Sequence, residues 1–179
     1  MKLFPSALWQ AVELACRWHV ALFLLIYGLV KYKQFQDPSV ASDAVNTLSG
    51  MQLMWLFYGF SKPYALFIGI AEMGGAVLLL FRRTVLLGCL LLTAVLVNII
   101  AQDLAYGVSP GALRMAVINQ LLIVVIVALN KQRVVAIWSA FTALAPIAPE
   151  REPWGWQRRI ARGFVAFLVI LAFTWWYTH

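Results

Sequence analysis

Apolar residues fall along this chain in blocks, separated by short charged or proline-containing breaks, and the block lengths predict the elements. The first block runs from Val12 to Val30 and is closed by Lys31 and Lys33. The second runs from Pro63 to Phe81 and stops at Arg82-Arg83. The third covers Val85 to Gln102 and ends near Asp103. A loop from Tyr106 to Gly111 then reverses the chain, and the fourth block covers Ala112 to Leu129. A last one runs from Ile160 to Tyr177. About 20 apolar residues in a helix cross a hydrocarbon core about 30 Å thick, so each block predicts a transmembrane helix. Met51–Phe60 is apolar and aromatic but only half that length. It predicts a re-entrant or interfacial helix ended by Ser61-Lys62-Pro63. Val134–Ala148 is also short, broken by Pro146 and Pro149, and predicts a helix lying at the surface.

The fold class expected is all-α: a polytopic membrane helical bundle with a four-helix core and a C-terminal fifth transmembrane helix. A short helix joins spans one and two. The expected domains are a four-span unit over 1–133, an interfacial helix and charged Trp-rich linker over 134–159, and the final span over 160–179. No internal repeat is present.

Composition agrees. The chain is 63% hydrophobic and 12% charged, where a soluble domain is about half apolar and about a quarter charged. The net charge of +7 does not point to nucleic acid, because the basic residues stand at the ends of apolar blocks. There they act as topology determinants. With the N-terminus inside and five spans, Lys2, Arg17, Arg82, Arg83, Lys131, Arg133 and the Arg151–Arg162 group share the cytoplasmic side. Lys31, Lys33, Lys62 and Arg114 face the other. The C-terminus is then extracytoplasmic. If Val134–Ala148 also crossed, this asymmetry would worsen. Glu13 and Arg17 interrupt the first block and no small-x-small cleavage site follows, so the N-terminus reads as retained rather than as a signal peptide.

Candidate chemistry lies in the polar residues stranded inside these blocks. Glu72 sits near the middle of the second, where an ionisable group needs a partner or a water-filled pocket. Ala65, Gly69, Glu72 and Ala76 share a helical face, with Gly74 and Gly75 beside it, so Glu72 is expected to face the bundle across small residues. Gly28 plays the same packing role on the first span. Arg17, on the inner half, is the first candidate counter-ion, with His19 as a second contact. Such a pair can also serve only to fix helix register. Ala94, Asn98 and Gln102 form one stripe of the third span; Ala116, Asn119 and Gln120 lie together on the fourth. Lys31, Asn98, Gln102, Asp103, Arg114 and Asn119 gather toward the outer half, where they could line a polar pocket roofed by Met51–Phe60. Helix packing is the plainer role for Asn119-Gln120. His19 has no second His or Cys at metal spacing, so no metal site is expected. Cys16 and Cys89 read as structural thiols. Phosphate-binding and dinucleotide motifs are absent from the sequence.

Arg17, then Gly28-x-x-Lys31, a long segment between spans, Glu72-x-Gly74-Gly75 and Arg82-Arg83 form an ordered set. This order resembles the DoxX-like family of small bacterial membrane proteins, over about Ala15 to Leu129. The resemblance implies a four-helix unit in the bacterial inner membrane. For some members it implies quinone-linked oxidation of sulfur compounds or redox complexes with partner enzymes. Relatives with a cysteine pair are tied to thiol oxidation; this chain lacks the pair, so that role does not carry over. The leading expectation is an accessory protein, a non-catalytic subunit presenting a quinone or lipid to a redox partner, with Glu72 handling charge. Two rivals stay open: a binding or transport module for a small or lipophilic solute, and an assembly factor for a membrane complex. Membrane lipid is an expected partner, no covalent cofactor is expected, and the oligomeric state is open.

Overall fold

The computed structural model describes residues 6–35 and 45–143, together with positions 157, 158, 160, 161, 163–165, 167 and 168. Helices dominate and no strand occurs among the described residues. In chain order they are α1 (Ser6–Gln34), a 3-10 turn at Val45–Thr47, α2 (Gly50–Phe60), α3 (Lys62–Leu80), α4 (Val85–Tyr106), α5 (Pro110–Leu129) and α6 (Lys131–Thr142). Four of them are long and apolar enough to cross a membrane: Ala7–Lys31 within α1, then α3, α4 and α5. Exposed Leu29, Phe67, Leu90 and Leu121 give them apolar outer faces, the surface that a bundle in lipid presents.

Local signals set the helix ends. Ser49 caps α2 through a capping box: its hydroxyl accepts from the Gln52 amide, and the Gln52 side chain accepts from the Ser49 amide. Two orphan donors are satisfied reciprocally. Prolines open α3 and α5, where the missing N–H has no intrahelical partner to lose. Gly107 closes α4 at φ 61°, its N–H bonding to the Asp103 carbonyl, a left-handed turn that glycine adopts without strain. The third span therefore runs a turn beyond the predicted Gln102.

The chain divides into two units, Met1–Ala136 and Ile137–His179. In the first, α1 packs on α3 and α5, and α4 packs on α3 and α5, closing a four-helix ring; α2 contacts α3 and α4. The core holds Val20, Leu24, Ala76, Leu79, Leu92, Leu96, Ile123 and Ile126. A smaller cluster of Phe35, Met54, Tyr58 and Ala65 forms where α2 meets the bundle. Of the surface segment predicted over Val134–Ala148, α6 covers the part to Thr142, and residues 144–148 lie outside the described ones. In the second unit the described positions between 157 and 168 are helical, and the rest of the predicted final span lies outside the described residues.

Close helix approach is set by glycines on two faces of α3, Gly69 toward α1 and Gly75 toward α4. A Cβ on Gly28 would lie 2.8 Å from the Gly69 carbonyl oxygen, and one on Gly69 would lie 2.8 Å from that of Gly28. α1 and α3 thus touch backbone to backbone. A Cβ on Gly75 would strike the Leu92 side chain. Gly74 does not share this role: a Cβ there meets nothing within 4 Å. One residue along a helix turns the Cβ by about 100°, which separates it from Gly75. The stripe of Ala94, Asn98 and Gln102 is present, with Gln102 Nε2 donating to Asn98 Oδ1, but its first two residues do not face the core. Ala94 and Asn98 are exposed, whereas Leu92, Leu96 and Asp103 carry the inward face of α4.

Candidate functional site: a polar cavity in the helix bundle

Glu72 faces inward and is 1% exposed. Its partner is Lys31, not Arg17: Lys31 Nζ lies 2.9 Å from Glu72 Oε1. Helix direction explains the difference. α1 and α3 run antiparallel, with Gly28 against Gly69 at one level and Arg17 against Leu79 and Leu80 at another. Side chains on an α-helix lean toward its N-terminus. Lys31 therefore leans back toward the bundle middle. Glu72 leans up toward Lys31. Arg17 leans the opposite way, out of reach of Glu72. The room for the lysine stem comes from Gly69, where a Cβ would stand 3.1 Å from Lys31 Cβ.

Arg17 instead closes the end of α3. Its Nε donates to the Leu79 carbonyl and its Nη2 to the Leu80 carbonyl, both at 2.6 Å. These are orphan acceptors at the negative end of the helix dipole, where a cation is stabilising. Glu13 lies 3.6 Å from Arg17 Nη1 and accepts from Asn130 Nδ2 at 3.2 Å. That cluster ties α1, α3 and α5 together.

At the other end, Lys31 and Glu72 line a cavity of about 90 Å³ with Gln102, Asp103 and Asn119. Leu24, Leu96 and Met115 are among its apolar walls, and Tyr27, Phe35, Met54 and Tyr58 add to the surround. Tyr58 and Met54 come from α2, so the short helix contributes to the cavity lining. Phe35 stacks on Tyr58 with centroids 4.7 Å apart, and Lys31 Nζ sits 6.0 Å from the Phe35 centroid. The Tyr58 hydroxyl donates to Gln102 Oε1 at 2.7 Å, and Gln102 Nε2 donates to Asn98 Oδ1. Burial pushes the Tyr58 phenol above its usual range, with the Gln102 hydrogen bond opposing. The group is therefore a protonated donor at neutral pH.

Three acceptors in this lining have no protein partner: Glu72 Oε2, Asp103 Oδ2 and Asn119 Oδ1. Their residues are 1%, 5% and 2% exposed. Asn119 Nδ2 donates to the Met115 carbonyl at 2.8 Å, and no protein donor reaches its oxygen. Buried acceptors of this kind cost free energy unless water or a ligand supplies donors.

The remaining predicted residues fall elsewhere. His19 is half-buried against Phe23, with ring centroids 4.6 Å apart, and does not line the cavity. Arg114 is exposed and donates to the Pro110 carbonyl at 3.1 Å. Gln120 reaches Thr93 Oγ1 at 3.4 Å and lies outside the cavity, as does Asn98. Sequence reasoning missed Tyr27, Phe35 and Tyr58. The available signal was the aromatic residue four positions after Met54, which puts both on one face of α2. Among the described residues no group of three or more His, Cys, Asp or Glu could hold a metal ion.

No family model matches the chain, and no solved structure matches it. A curated relative is the uncharacterized protein YwoB of Bacillus subtilis, 31% identical over 106 residues, which are 58% of this chain and 68% of the relative. At that identity and coverage the chain belongs to the same family as YwoB.

Proposed function

We propose that this chain is an integral membrane protein that holds a small polar, donor-bearing group in the cavity between α1, α3, α4 and α5. One observation carries the reading: three buried acceptors, Glu72 Oε2, Asp103 Oδ2 and Asn119 Oδ1, lack protein donors in one cavity. Packing alone would favour apolar side chains there, since an unsatisfied acceptor costs about 1–3 kcal/mol. The placement proposed is the bacterial inner membrane, with the N-terminus cytoplasmic. Residues 160–177 form the fifth span, which puts the C-terminus outside. The α2 helix is re-entrant, dipping from the outer side to cover the cavity.

A quinone-linked accessory role within a DoxX-like group is the second reading. The aromatic pair Phe35–Tyr58 at the cavity supports it, because a quinol would offer hydroxyl donors to the same acceptors and a ring to an aromatic lining.

Solvent extraction and mass spectrometry of the protein purified from its native membrane test both. The expected result is a molecule bearing hydroxyl or amino groups that co-purifies with the wild type and is lost from an Asp103→Asn, Asn119→Leu variant. Equal recovery from wild type and variant rejects the pocket. A quinol in the extract selects the second reading.

A further inference from the structure

The polar cavity adjoins a second space. A cleft of about 810 Å³ is lined by Leu53, Phe57, Phe60, Tyr64 and Tyr106. Met54, Tyr58 and Gln102 line both spaces, so the Tyr58–Gln102 hydrogen bond stands at their junction. Charged side chains line the cavity and none lines the cleft, whose polar side chains besides the tyrosines are Ser61 and Gln102. The cleft is aromatic and aliphatic, and its rim residues Phe57 and Phe60 are exposed on the apolar surface. The cavity carries carboxylate and amide oxygens.

Charge and donor counts narrow the ligand. Lys31, Glu72 and Asp103 are the charged side chains of the cavity lining, one ammonium against two carboxylates. Lys31 is engaged with Glu72 Oε1. A buried carboxylate without a counter-charge is costly in a low-dielectric site, so with both carboxylates ionised the lining is one positive charge short, and Glu72 Oε2, Asp103 Oδ2 and Asn119 Oδ1 still lack donors. A primary ammonium supplies both, with three N–H donors on one cation. Size narrows it further. The cavity, at about 90 Å³, is far smaller than the cleft, at about 810 Å³, so it suits a head and not a chain. The adjoining cleft provides for the chain.

We propose that cavity and cleft form one site for a cationic single-chain amphiphile, its primary ammonium head among Glu72, Asp103 and Asn119 and its alkyl chain along Phe57 and Tyr64. The inference rests on the pocket reading above and adds the charge of the head and the tail. Tyr58 and Gln102 separate to admit the ligand, and the Tyr58 ring then lies beside the head.

The test uses the full chain in phosphatidylcholine nanodiscs, with octylammonium, 1-octanol and ethylammonium as probes and affinity read from tryptophan fluorescence. Octylammonium is expected to bind at least tenfold more tightly than either other probe. Asp103→Asn should shrink the octylammonium preference over 1-octanol to less than threefold. Phe57→Ala, at an exposed position, should weaken octylammonium at least fivefold and leave ethylammonium and the melting temperature unchanged. Equal binding of 1-octanol and octylammonium by the wild type overturns the cationic head. Octylammonium binding that neither substitution alters is partition into the bilayer and overturns the site. Absence of octylammonium binding by the wild type also overturns it. Failure of the underlying pocket is read separately, from the extraction experiment.

Discussion

At the scale of single residues, the cations of α1 divide the work by the direction in which their side chains lean. Lys31 neutralises Glu72 at 2.9 Å, and Arg17 satisfies the last carbonyls of α3. A double-mutant cycle separates them. Lys31→Met strands Glu72 in a buried site and should cost about 3–5 kcal/mol of unfolding free energy. The Lys31→Met, Glu72→Gln double variant should recover much of that loss. The corresponding Arg17→Gln, Glu72→Gln cycle should be additive within about 0.5 kcal/mol, as expected of side chains with no shared partner. Unfolding in mixed micelles measures both. Coupling confined to the Arg17 cycle would contradict the geometry.

At the scale of elements, the α1–α3 contact depends on the absence of two side chains. Gly69→Ala would press a methyl onto the Gly28 carbonyl and the Lys31 stem, and neither can retreat without parting the helices. A loss of about 1–3 kcal/mol is expected, the usual range for overpacking. Gly74→Ala should be neutral or stabilise by up to about 1 kcal/mol, since the site is open and alanine is the better helix former. Melting temperatures of the two purified variants check the contrast. The cap on α3 is a second contact at this scale. Arg17→Lys retains the charge but not the fork that reaches both the Leu79 and Leu80 carbonyls, so it should restore only part of the stability lost in Arg17→Gln.

At the scale of the whole molecule, four apolar helices form a ring with distinct ends. One end carries the Arg17–Glu13–Asn130 cluster, with Arg133 Nη1 donating to the Arg82 carbonyl at 2.9 Å. The other carries the cavity, with α2 contributing to its lining. The proposed topology puts the cavity end outside. Cysteine accessibility in intact cells tests this: Ser109→Cys should react with a membrane-impermeant maleimide, and Gln132→Cys only after permeabilisation. Both positions are exposed. Native Cys16 and Cys89 are buried, so they should give little background. The reverse labelling pattern would invert the orientation and open the cavity to the cytoplasm.

The sequence by itself determined the four apolar spans between Ala7 and Leu129, because hydrocarbon thickness sets the length of an apolar helix and charges mark its ends. It also determined that Glu72 faces inward, since Ala65, Gly69 and Ala76 repeat with it at helical spacing and all are buried. The short block Met51–Phe60 was readable as a separate helix for the same reason of length. Tertiary structure decided the pairing. Arg17 and Lys31 are both cations on the first span, and residue depth favours Arg17 as the partner of Glu72. The antiparallel crossing at Gly28 and Gly69, with the lean of helical side chains toward their own N-termini, gives Glu72 to Lys31 instead. It also decided which polar residues meet. Asp103 and Asn119 turn into one cavity while Asn98 and Arg114 stay exposed. That outcome depends on how each helix is rotated in the ring, which is fixed by contacts with its neighbours rather than by its own sequence period.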